Sequence, residues 1–161
     1  MGITIVEIEK PDPEINVIVG QTHFIKTAED LYEALITSSP NAKFGLAFCE
    51  ASGKRLVRYE GNDEILVKYA IKNALNVGAG HFFIIMLKNV YPINVLNNIK
   101  NVQEILTLYA ATSNPLKIVL FEDNEMRAIL GIMDGFKPLG VEGEEDKKER
   151  KEFLRKIGYK L

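Results

Sequence analysis

One cysteine, two histidines and no tryptophan in 161 residues leave several kinds of protein out of consideration. With Cys49 alone, no intrachain disulfide can form, and its strand-like setting "FGLAFCE" favours a small buried hydrophobe over a reactive thiol. This suits a reducing, cytoplasmic compartment. The two histidines, His23 and His81, lie far apart with no HExxH or cysteine-rich spacing beside them, which speaks against a structural zinc site. The chain also lacks an excess of either charge: 20 Lys+Arg against 22 Asp+Glu give a net charge of -2, too little basic field to hold a nucleic-acid backbone. No apolar run approaches the ~20 residues of a membrane span, and "MGITIVEIEK" alternates where a signal peptide needs an unbroken apolar core. The expectation is a cytoplasmic protein with neither a membrane nor a nucleic acid as partner.

Apolar residues make up 47% of the chain. At this length a single domain, residues 1–161, buries roughly two-thirds of the surface its unfolded form exposes, so packing alone can hold it. "ITIVEIEK" and "INVIVGQTHF" read as strands separated by the turn "PDPE". Thr27 reads as an N-cap for a helix reaching Ser38, with Leu31, Ala34 and Leu35 on one face. "KFGLAFCEASGKRLVRYEG" reads as a hairpin around "ASGK". From Asn62 to Val77, polar residues recur every fourth position and leave Ile65, Leu66, Tyr69 and Ala70 for a core.

The run "FFIIML" does not alternate, so as a strand it needs cover on both faces. A short helix starts near Pro92, with Val95, Leu96 and Ile99 buried, and "ILTLYA", "LKIVLFE" and "RAILGIMDG" supply three more strands. The segment from "EGEED" to "RKIG" places acids and bases as a helix dipole favours, with Gly158 as its cap. Interleaved strands and helices predict an α/β fold, a three-layer α/β/α sandwich with a mixed sheet.

Candidate chemistry gathers at a few places. In "NVGAGH", Gly78 and Gly80 can turn backbone N–H groups toward a phosphate, with His81 as donor or proton carrier; a helix stop and tight turn explain the same residues. The spacing is neither a Walker A loop nor a Rossmann fingerprint. His23, next to Gln21 and Thr22, offers a polar pocket wall or a purely structural contact. Asn114, held by Pro115, can present an amide to the edge of adenine or form an Asx turn. Magnesium has possible carboxylate ligands in Glu50, Glu122, Asp123 and Asp134. Asp134 also sits among glycines in "GIMDGFKPLGVEG", as a ligand-approaching loop or simple turn geometry requires. Arg150 and Arg155 lie on a solvated helix face from which an anion is within reach. "FCEASGKR" and "FEDNEMR" echo one another, Glu50 to Arg55 as Glu122 to Arg127, by duplication or by chance.

The stretches "FGLAFCEASGKRLVRYEGND", "NVGAGHFFIIML", "SNP" and "GIMDGFKPLGVE", with the terminal "RKIGYKL", resemble the archaeal and bacterial adenosine-specific kinase family over nearly the whole chain. The resemblance implies a compact three-layer α/β/α protein, commonly a homotrimer, that binds adenosine or its nucleotides AMP, ADP and ATP. The family's name implies transfer of a phosphoryl group from ATP to adenosine. Residue chemistry, not a known family mechanism, nominates Asp134 as base, Glu122 as magnesium contact and His81 as phosphate donor. A non-catalytic adenine-nucleotide binding or sensing protein would use the same residues.

Overall fold

A computed structural model describes residues 1–161 as eight strands and four helices in a single α/β domain. The strands are β1 (Gly2–Glu7), β2 (Asn16–Thr22), β3 (Lys43–Cys49), β4 (Val57–Gly61), β5 (Phe82–Lys88), β6 (Ile105–Thr112), β7 (Leu116–Asp123) and β8 (Met126–Asp134). The helices are α1 (Thr27–Ser38), α2 (Glu64–Val77), α3 (Pro92–Lys100) and α4 (Glu144–Lys156). Five strands form a sheet in the order β4-β3-β5-β2-β6, and three form a smaller one, β1-β7-β8.

Every strand pairing is antiparallel, which corrects the expected mixed sheet. The reason lies in the crossovers. Helices α1, α2 and α3 each join two strands of like direction, as a helical crossover should, yet each passes over an intervening strand that runs the other way. Thus α1 links β2 to β3 and β5 enters between them. Apolar patterning reports which faces are covered, and it carries no information on the direction of a neighbouring strand.

Strand β5 is the centre of the larger sheet, and Phe82 to Leu87 are all buried. Its residues alternate between two cores. Phe83, Ile85 and Leu87 pack with Leu31 and Leu35 of α1 and with Val95 and Ile99 of α3. Phe82, Ile84 and Met86 pack instead with Leu66, Ala70, Ala74 and Val77 of α2 and with Ile118 and Leu120 of β7. One face of β5 therefore packs on α1 and α3, and the other on α2 and β7. Helix α2 comes so close to β3 that a Cβ on Gly45 would stand 2.2 Å from the backbone of Leu66 and Val67, which only glycine permits.

Two local expectations change. Thr27 is the first helical residue rather than the N-cap, and its hydroxyl donates to the Phe24 carbonyl at 2.6 Å. The buried stripe of α2 runs through Leu66, Ala70, Asn73, Ala74 and Val77, so Ile65 faces solvent and a polar residue takes a core position. No helix is long and apolar enough to cross a membrane.

Candidate functional site

The larger sheet has two ends, and the candidate residues divide between them. At one end β2 and β3 finish and β5 begins, bringing His23, Gly78, Gly80 and His81 together. The tip of the β7–β8 hairpin reaches the same end, because Arg127 donates to the carbonyls of Asn76 and Val77 at 2.9 and 3.0 Å. This brings Glu122 with it, 3.3 Å from the Arg127 guanidinium. Asn114 and Asp134 meet at the opposite end of that hairpin, where the Asn114 amide donates to the Asp134 carboxylate at 3.3 Å. Since Leu116 pairs with Asp134 and Glu122 with Arg127, the two places are six strand residues, or about 20 Å, apart.

Between α2 and the two hairpin tips lies a cleft of about 600 Å3, in the size range of small-molecule sites. Its apolar wall includes Cys49, Leu56, Ala74, Leu75 and Met126, and its polar rim includes Glu50, Arg55, Gly78, Gly80, Glu125 and Arg127. Gly78 closes α2 in the left-handed conformation, φ 55°, and its N–H goes to the Ala74 carbonyl at 2.8 Å. The His81 N–H goes to the Cys49 carbonyl at 2.8 Å. The amides of Ala79 and Gly80 make no hydrogen bond and so remain free as backbone donors. Burial pushes the Cys49 thiol up to about 12, in keeping with a small hydrophobe in the wall.

The imidazole of His81 does not line this cleft. It stacks on Phe48 with ring centroids 5.9 Å apart, on the side of the sheet that α1 and α3 cover. Arg58, the cross-strand neighbour of Phe48, shares that side. Its guanidinium reaches both oxygens of Glu50 at 3.1 and 3.2 Å, while its Nε is buried without a partner. Glu50 also accepts from the Leu56 N–H at 3.0 Å; that bond and the Arg58 charge hold its carboxyl below the usual range. His23 lies exposed in the loop leading into α1 and stacks on Phe24.

Arg55 and Arg127, not singled out as site residues in the sequence, are the cations nearest the cleft. The echo "FCEASGKR" and "FEDNEMR" was the available signal, since Arg55 meets Glu125 at 3.6 Å across the two hairpin tips. The echo is not repeated in the pairings, however: Glu50 bonds Arg58 rather than Arg55, whereas Glu122 bonds Arg127.

The carboxylates beside the cleft do not form a magnesium cage of their own. No three His, Cys, Asp or Glu side chains gather anywhere, and Glu50, Glu122 and Glu125 each face an arginine. Such carboxylates already have their counter-ion.

Comparison with known proteins adds two findings. Residues 6–160 match a family described as "Adenosine specific kinase". The fold is similar to the crystal structure of the PH1918 protein from Pyrococcus horikoshii OT3, at 47% identity and a TM-score of 0.94, over 99% of this chain and 98% of that one. No curated protein matches the chain.

Proposed function

Because this chain belongs to the adenosine-specific kinase family, we propose that it binds adenosine and adenine nucleotides in the cleft between α2 and the hairpin tips, and transfers a phosphoryl group from ATP to adenosine. The observation that carries this reading is the cleft's division into an apolar wall and a polar rim that holds Arg55 and Arg127. The wall of Leu56, Ala74, Leu75 and Met126 suits a planar base. Phosphate falls to Arg55, whose only ionic partner stands 3.6 Å away, and to the open N–H groups of Ala79 and Gly80.

Magnesium, in this reading, enters with ATP as part of the substrate, and no step is assigned to a protein-held ion. The phosphoryl acceptor is a ribose hydroxyl, which must lose a proton to a base. Asp134 remains the proposed base, and about 20 Å of strand separates it from the cleft of its own chain, so a neighbouring copy has to bring it there. A homotrimer, which the family resemblance implies, offers such a neighbour.

A second reading is favoured by the same separation. Every carboxylate beside the cleft is paired with an arginine, so a single chain has a binding site without a free base, as a non-catalytic adenine-nucleotide sensor would. Incubation with adenosine, ATP and magnesium decides between them: many turnovers to AMP are expected of a kinase. Tight adenosine binding by calorimetry without turnover leaves the sensor. Equal affinity for adenosine and guanosine removes the adenine reading altogether.

A further inference from the structure

The smaller sheet buries only one of its faces. Leu116, Ile118 and Leu120 of β7 point inward to the core, and strand alternation turns Val119 and Phe121 outward beside Ile5 and Ile3 of β1. Ile3 is 68% exposed and Leu130 of β8 is 57% exposed, so three adjacent strands present an apolar surface with no helix over it. Surfaces of this kind mark interaction sites.

The same chain carries an equally uncovered segment. After Gly135, whose N–H is tied to the Pro115 carbonyl at 2.9 Å, residues 136–161 make no hydrogen bond or ion pair with the body of the protein. Helix α4 buries none of its residues. Phe136 is 89% exposed and Leu139 104% exposed, and neither belongs to a core cluster. The chain's total surface of 10111 Å2 compares with about 8,100 Å2 for a compact monomer of 18.1 kDa. The excess, about 2,000 Å2, is what a standard protein–protein interface buries.

We propose that residues 136–161 form an arm that docks on the outer face of the three-stranded sheet of a second copy of this chain. Each copy supplies both the uncovered arm and the uncovered face, so a second copy always offers the complement. The lengths agree: the eight residues Phe136–Gly143, when extended, span about 26 Å, and β7, also of eight residues, spans about 27 Å. Arm and face are different surfaces, so each contact is heterologous, and every arm and face is satisfied when the copies close into a ring.

Sedimentation velocity at micromolar concentration tests this with the full chain and two full-length variants. The double substitution Phe136→Asp and Leu139→Asp alters the arm, where neither side chain touches the core, and Ile3→Asp alters the face. The unaltered chain is expected to sediment as one closed oligomer and each variant as a folded monomer, with folding checked by circular dichroism. A monomeric unaltered chain overturns the proposal, as does an oligomer that survives the arm substitutions. Should Ile3→Asp fail to fold, Leu130→Asp on the same face replaces it, and an oligomer surviving that change also overturns the proposal. None of these readouts depends on adenosine binding, so adenosine affinity, measured separately by calorimetry, still tests the binding reading, whereas a monomeric chain would remove only the neighbour that the Asp134 step requires.

Discussion

Asn73 and Glu9 pair twice. The Glu9 N–H donates to the Asn73 side-chain oxygen, and the Asn73 side-chain N–H donates back to the Glu9 carbonyl, both at 2.8 Å. An amide has one acceptor and one donor side, so it continues the segment after β1 as a neighbouring strand would, and fixes that segment to α2. This accounts for a fully buried asparagine on an otherwise apolar helix stripe.

Asn73→Leu should therefore destabilise the protein by about 2–3 kcal/mol, since two hydrogen bonds go and the partly exposed Glu9 groups recover some water. For a domain of this size the melting temperature falls by roughly 4–12 °C. Denaturant unfolding measures it. A loss below about 0.5 kcal/mol would mean the pair contributes no more than an ordinary surface contact.

Arg55 and Arg127 should separate binding from folding. Arg55→Ala removes an exposed guanidinium at the cleft rim, and loss of one charge-assisted bond of about 1.5–3 kcal/mol weakens AMP binding roughly ten- to a hundredfold. Adenosine affinity and melting temperature stay as they were. Arg127→Ala also lowers the melting temperature, because Arg127 holds the last carbonyls of α2. Calorimetry that finds AMP and adenosine weakened equally by Arg55→Ala removes Arg55 from the phosphate site.

His81 adopts φ 64°, in the left-handed region, so its backbone and its ring can be tested apart. His81→Gly keeps that conformation without strain and should be more stable than His81→Ala by up to ~1 kcal/mol. Both variants lose the imidazole, which stacks on Phe48 outside the cleft, so both are expected to bind AMP and adenosine in the original ratio. A ratio that shifts in both variants would place the imidazole in the phosphate site.

Glu104 gives the pH dependence. Its side chain is buried, burial and the neighbouring Asp30 carboxyl raise its pKa, and Lys26 stands 3.4 Å away as partial compensation. Asp30 moves the other way, lowered by the neighbouring Glu104 carboxyl and by Lys26 at 2.8 Å. A carboxyl with a raised folded pKa stabilises the fold while protonated, and that contribution is lost as pH rises through the folded value. Glu104→Gln, which imitates the protonated form, should thus raise the melting temperature at pH 7 and have no effect near pH 4. A stabilisation that is the same at both pH values would show that charge on Glu104 is not its cause.

Adenosine-kinase family membership, the element boundaries and the doubly covered strand were legible because they depend on local order. "FFIIML" needs no partner to announce that both its faces are buried, and Gly78 ends α2 by a conformation that glycine alone adopts without strain. The proline at the start of α3 and the acids and bases at the two ends of α4 likewise act within one turn of their own helix.

Tertiary structure decided everything that depends on direction and distance between elements. Residue patterning could not show that β5 enters antiparallel between β2 and β3, since burial is the same for either strand direction. Nor could it show that Asn114 and Asp134 stand together at the far end of the β7–β8 hairpin from Glu122, because a site is defined by strand register and a sequence lists residues without it. Arg55 and Glu125 are seventy residues apart along the chain, and only the packing of two hairpin tips against the end of α2 brings their charges to 3.6 Å.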